Sequence, residues 1–98
     1  MSDRQSGRTT RQMLEAPPGA VFIWPVSRTV DYAHMLAKHL GRDDLVIECP
    51  SVFDDGCRRL RGRRLAGLVL DHACLWLMSD RQWDSYSELR RWVMVDVR

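Results

Sequence analysis

Gly19-Ala20-Val21-Phe22-Ile23-Trp24-Pro25 encloses five consecutive apolar residues between two chain breakers. A run so short and unbroken reads as a β-strand buried on both faces, since a half-exposed strand would alternate apolar with polar residues. Such strands belong to parallel sheets covered by helices on both sides, which assigns the chain to the α/β class. The flanking segments agree. From Thr29 to Leu40 the apolar residues Val30, Ala33, Leu36, Ala37 and Leu40 recur every three or four positions. With Thr29 as N-cap and Gly41 just past the end, that spacing predicts an amphipathic helix. Leu45 to Cys49 predicts a second strand stopped by Pro50, Leu65 to Leu70 a third, and Trp92 to Val97 a fourth. Asp54-Asp55-Gly56 has turn chemistry, and Ser79-Asp80-Arg81-Gln82 has the form of a capping box. The helix it opens carries Trp83, Tyr86 and Leu89 on its inner side. Strands separated by helices need crossover connections, so the expected architecture is a mostly parallel four-stranded sheet flanked by helices.

Ninety-eight residues close one hydrophobic core, and the expectation is a single domain spanning 1–98. Hydrophobic residues at 45% and charged residues at 29% are near the averages for globular domains, which argues against a disordered or fibrous class. The longest uncharged apolar stretch, Ala73 to Met78, falls far short of the ~20 residues a bilayer span needs. Met1-Ser2-Asp3-Arg4 does not open a secretory signal, so a soluble, cytoplasmic protein is expected. A net charge of +2 is too small to dictate a polyanionic partner. Lys38 is the only lysine among fifteen basic residues, and the arginines are spread along the chain; genome composition explains this more simply than selection for phosphate contacts. Cys49, Cys57 and Cys74 cannot all pair, and the spacing of these three with His72 matches no common zinc module.

Residues 1–8 are polar and short of large apolar side chains, which predicts a flexible start. A helical turn follows from Thr9 to Glu15 and ends at Pro17-Pro18-Gly19. Gly7-Arg8-Thr9-Thr10 just before it has the chemistry of a phosphate site: a glycine for close approach, a cation, hydroxyls and a helix N-terminus. About sixty residues on, Leu68-Val69-Leu70-Asp71 is an apolar strand ending in an aspartate, where a magnesium ligand would stand. The full G-x-x-x-x-G-K-[ST] pattern would put a glycine at position 2 and a lysine at position 8, where the chain has Ser2 and Arg8; Thr9 stays in register. A flexible start with a threonine N-cap, and an aspartate merely closing a strand, are the competing readings.

Taken in order, these pieces resemble the first half of the ATPase core of superfamily 2 helicases and phage large terminases, and especially small degenerate P-loop proteins encoded by phages. Gly7 to Thr10 resembles the phosphate loop. Ala20 to Trp24 followed by Pro25-Val26-Ser27-Arg28-Thr29 is similar to the helicase strand whose Pro-Thr-Arg segment touches nucleic-acid backbone. Leu68-Val69-Leu70-Asp71-His72-Ala73 resembles Walker B, with His72 where the family has its catalytic glutamate. The likeness implies a truncated, three-layer P-loop-like fold, a possible ATP or other nucleotide with magnesium at Asp71, and a host-cell cytoplasmic location. The family strand that precedes the phosphate loop has no counterpart in the six residues before Gly7. Without that strand, the Walker lysine or the glutamate, hydrolysis is not expected, and a binding protein is favoured over an enzyme.

Two other features point to partners. Arg58, Arg59, Arg61, Arg63 and Arg64 are five arginines in seven residues, suited with Arg28 to nucleic-acid phosphates or an acidic protein surface, or else a solvated loop. Four tryptophans are many for this length, so Trp76 or Trp83 is expected to be exposed as an interface anchor that binds a host or phage protein. His34 and His39, five apart on a helix, share no face and do not make a metal pair.

Overall fold

The structure, a computed structural model, describes residues 2–54, 60, 66–91 and 95–97, with side chains described within 7–54, 60 and 66–91. Helix α1 spans Ser2–Glu15, strand β1 Val21–Ile23, helix α2 Val30–His39 and strand β2 Val46–Glu48. Strand β3 spans Leu68–Leu70, followed by the one-turn helix α3 (Cys74–Leu77), helix α4 (Asp80–Leu89) and strand β4 (Val95–Val97). Short 3-10 turns at Ser27–Thr29 and Pro50–Phe53 follow β1 and β2. The sheet order is β2-β1-β3-β4, and every neighbouring pair is parallel. The α/β class expected from Ala20 to Trp24 is the class observed.

Both faces of the sheet are covered, which is why β1 and β3 carry no polar residue. Phe22, Ile47 and Val69 point to one face and pack with Met13 of α1, Ala16 just past its end, and Ala33 and Ala37 of α2. Val21, Ile23, Leu68 and Leu70 point to the other and meet Val52, Phe53, Leu60, Cys74, Met78, Tyr86 and Leu89. From β1 the chain moves outward to β2 through α2, and from β3 it moves the opposite way to β4 through α4. Right-handed crossovers in opposite directions place their helices on opposite faces, as seen. The strand order therefore reverses between β1 and β3, and the carboxyl ends of those strands form the crevice where open α/β sheets take ligands.

Several local expectations change. Residues 1–8 are expected to be flexible, yet α1 begins at Ser2. Thr9, Gln12 and Met13 lie on one face of that helix and are buried, as is Ala16 just past its end, and a helix anchored there extends backward at one hydrogen bond per added residue. Thr29 does not cap α2 with its side chain: its hydroxyl accepts from the Trp24 indole at 2.9 Å and donates to the Val26 carbonyl at 3.2 Å. Gly41 ends α2 in the left-handed region (φ 73°), and the capping box at Ser79 and Gln82 is formed in both directions. Helix α3 is not anticipated by the sequence pattern. Arg58, Arg59, Arg61, Arg63, Arg64, Trp92, Cys57 and the Asp55-Gly56 half of the expected turn lie outside the described residues.

Candidate functional site

The two halves of the sequence-predicted phosphate site meet at the carboxyl end of β3. Thr9 Oγ1 donates to Asp71 Oδ1 at 2.7 Å, joining residues 62 positions apart, with 5% of Thr9 and 2% of Asp71 exposed. The second carboxylate oxygen, Oδ2, accepts from the Ala73 N–H at 3.1 Å. One turn along α1, Gln12 lies on the same face as Thr9. Its Nε2 donates to the Leu70 carbonyl at 2.8 Å and its Oε1 accepts from the His72 N–H at 2.9 Å. The Gln12 amide thus pairs with the strand end as a neighbouring backbone would. Sequence reasoning passes over Gln12; its spacing of three from Thr9 is the signal that would have found it.

His72 is buried beside this pair, its Nδ1 3.4 Å from Gln12 Oε1 and 3.7 Å from Asp71 Oδ1, and its Nε2 has no hydrogen-bond partner among the described residues. Arg8 and Arg11 are exposed on α1 and, with Gln12 and Glu15, line a cavity of about 380 Å³. No group of three or more His, Cys, Asp or Glu is arranged to hold a metal among the described residues.

One expectation about this site is corrected. Gly7 to Thr10 are not a loop in front of a helix: they lie inside α1. Only the first four N–H groups of a helix are free, and in a helix starting at Ser2 these end at Gln5. The amides of residues 7–10 are therefore committed to the helical ladder, and no backbone cradle for phosphate exists in this conformation. Thr10 is half-buried and enters no hydrogen bond with Asp71.

The α1 end opposite the site is held from a distance. Arg42 lies just past Gly41 and donates to the carbonyls of Met13, Leu14, Ala16 and Pro17 while pairing with Asp44 at 3.0 Å. A guanidinium over the last carbonyls meets the negative end of the helix dipole, a role no residue of α1's own last turn supplies. The Arg42 hydrogen bond and a Gly19 N–H at 2.8 Å hold the Asp44 carboxyl well below the usual carboxylate range.

Of the remaining predicted contacts, Arg28, Trp76 and Trp83 fall among the described residues. Arg28 is exposed in the 3-10 turn after β1. Trp76 is 70% exposed on α3, between Leu75 (49%) and Leu77 (55%). Trp83, by contrast, is partly buried and packs edge-on against Tyr86, so it belongs to the core on that face. Beside Leu77 a cavity of about 210 Å³ opens among Pro25, Ser27, Cys49, Pro50, Ser51 and Gln82. Cys49 is half-buried, and burial raises its thiol pKa; burial and the Asp71 charge push the Cys74 thiol up to about 12. No helix of the described residues is long and apolar enough to cross a membrane. No protein-family model matches the chain, and neither a curated protein nor a solved structure matches it.

Proposed function

We propose that the chain is a non-hydrolysing binding protein on a P-loop-like α/β core, and that it takes a phosphate-bearing ligand such as a nucleotide. The observation that carries this reading is the buried Thr9–Asp71 hydrogen bond at the β1/β3 switch point. Thr9 Oγ1 and Asp71 Oδ1 lie 2.7 Å apart, close to the separation of adjacent oxygens in an octahedral magnesium site. Those two groups would hold the ion, and the ion would neutralise phosphate charge. Because the amides of residues 7–10 are spent in α1, Arg8 and Arg11 are the groups left to grip the anion, as side chains rather than as a backbone cradle. Arg8 in place of the ammonium and His72 in place of a carboxylate favour binding without turnover.

Thermal unfolding with and without magnesium and ATP tests this reading. Ligand at tenfold its Kd adds about 1.4 kcal/mol, or roughly 6–11 °C for a domain of this size. The shift is expected to shrink with added salt and to vanish in an Arg8→Ala, Arg11→Ala double variant. No shift with ATP, GTP or inorganic phosphate would sink it.

A second reading has its own observation. Leu75, Trp76 and Leu77 are consecutive large apolar residues, all about half or more exposed, and they mark an interaction surface for a protein partner. Its test is the partner set crosslinked to the chain, compared between the native sequence and Trp76→Ala.

A further inference from the structure

We propose, building on the phosphate-site reading above, that His72 is a metal ligand and that Thr9, Asp71 and His72 together hold a first-row transition cation in preference to magnesium. Thr9 Oγ1 lies 2.7 Å from Asp71 Oδ1, and His72 Nδ1 lies 3.7 Å from that same oxygen. Adjacent donors around one cation stand about 2.9 Å apart in an octahedron with bonds of about 2.05 Å, and about 3.4 Å apart in a tetrahedron. The two separations bracket those values, so an ion bound to Asp71 Oδ1 is within reach of both neighbours. The hydrogen bonding of the ring points the same way. His72 is 4% exposed, and its Nδ1 faces two oxygens, Asp71 Oδ1 and, at 3.4 Å, Gln12 Oε1. Both oxygens already accept a hydrogen, one from the Thr9 hydroxyl and one from the His72 N–H. Both also lie beyond the roughly 3.2 Å reach of a good N–H···O bond, and Nε2 has no partner among the described residues. The protein alone therefore pairs this buried imidazole poorly. With the ring proton on Nε2, the Nδ1 lone pair faces two oxygen lone pairs, and a cation among them turns that repulsion into coordination.

The donor set selects the metal. A hydroxyl and a carboxylate alone would suit magnesium, but an imidazole nitrogen shifts the preference toward cobalt, nickel or zinc, with manganese weaker. Burial acts in the same direction: Thr9, Asp71 and His72 are 5%, 2% and 4% exposed, so an ion bound there gives up most of its water, which magnesium does reluctantly. Gln12 serves as a positioning residue. Its amide joins the Leu70 carbonyl to the His72 N–H and so fixes the backbone that presents the ring. Asp71 is the one anionic group of the three ligands, so a divalent cation leaves an excess positive charge. A phosphate oxygen of the bound ligand neutralises it, and cation and phosphate then bind each other's site more tightly than either binds alone.

The chain has three histidines, and His34 and His39 are exposed on α2, so a His34→Gln, His39→Gln double variant keeps the fold and leaves His72 as the sole imidazole. Pulsed electron paramagnetic resonance of this variant with Mn²⁺ alone, and again with ATP, reads nitrogen bound to the metal; coupling that changes on ¹⁵N-histidine labelling is expected. Isothermal titration with Co²⁺ and with Mg²⁺ should give at least about tenfold tighter binding of Co²⁺. His72→Asn removes the imidazole, and should bring the two cations within about threefold of each other. If His72→Asn fails to fold, the nitrogen coupling in the folded double variant decides alone. Cation binding without nitrogen coupling, Mg²⁺ bound as tightly as Co²⁺, or no cation bound up to about 5 mM with ATP present overturns His72 as a ligand. The phosphate reading is decided separately, by the thermal shift with inorganic phosphate in metal-free buffer. A shift there without nitrogen coupling overturns the role of His72 and keeps that reading, whereas coupling without the shift supports the metal site and sinks the phosphate ligand.

Discussion

Replacing Gly7 with alanine asks whether α1 is the working form of the segment that carries the predicted phosphate chemistry. In the helix, Gly7 has no structural reason to be glycine: its φ is not positive, and a Cβ placed there meets nothing within 4 Å. Glycine in a helix interior costs about 0.8–1.0 kcal/mol relative to alanine, mostly through the larger backbone entropy of the unfolded chain. With no contact to offset the gain, Gly7→Ala should stabilise the protein by about 0.9 kcal/mol and raise Tm by roughly 4–7 °C. Urea unfolding followed by tryptophan fluorescence measures the free energy, and the midpoint should rise without a change in slope. If Arg8 and Arg11 grip the anion as side chains from a helix, affinity for ATP with magnesium should stay within about twofold of the native value. A destabilised variant, or one that loses the ligand-induced shift, would refute the reasoning. Either result would mean that residues 7–10 work as a loop, where only glycine allows the close approach.

The other predictions concern what holds the site in place. Thr9→Val keeps the shape but strips a hydrogen bond from a buried carboxylate, so a loss of about 2 kcal/mol is expected in urea unfolding, with most of it regained in Thr9→Ser. Arg42→Ala releases the last carbonyls of α1 together with Asp44, and a loss of about 2 kcal/mol with faster amide exchange in residues 10–15 should follow. Because the folded-state pKa of Asp44 is depressed, its contribution is present above the usual carboxylate range and lost as pH falls through and below it. Arg42→Ala should therefore flatten the acid limb of the stability curve. Cys74 has the opposite sign, its thiol pushed up to about 12, so its contribution is complete below pH 9 and declines as pH rises above it. At pH 8.5 iodoacetamide should modify Cys49 well before Cys74, as read by peptide mass spectrometry, with Cys74 reacting only on unfolding.

Which parts of this protein are legible in the sequence follows from the range of the forces involved. Ala20 to Trp24 reveals its strand because burial on two faces leaves its mark on every residue, and Gly41 and the Ser79–Gln82 box reveal helix ends because capping is settled within a few residues. The pairing of Thr9 with Asp71 can be suspected from motif order alone. Helix α1 is different: whether residues 2–8 continue the turn begun at Thr9 depends on anchoring by Met13 and Ala16 under the sheet and on Arg42 at the far end. Arg42 reaches Met13 and Ala16 across 29 and 26 residues, and none of these contacts leaves a periodic trace around Gly7. Helix α3 is hidden as well. An exposed tryptophan is expected at Trp76 or Trp83, but only the fold shows that it is Trp76, on a turn after Asp71 with a single buried residue. The same sheet edge therefore holds the Thr9–Asp71 pair and an apolar ridge whose tryptophan is anticipated but whose helical turn is not. Asp71 directly follows β3 and α3 begins three residues later, with the Asp71 carbonyl accepting the Cys74 N–H.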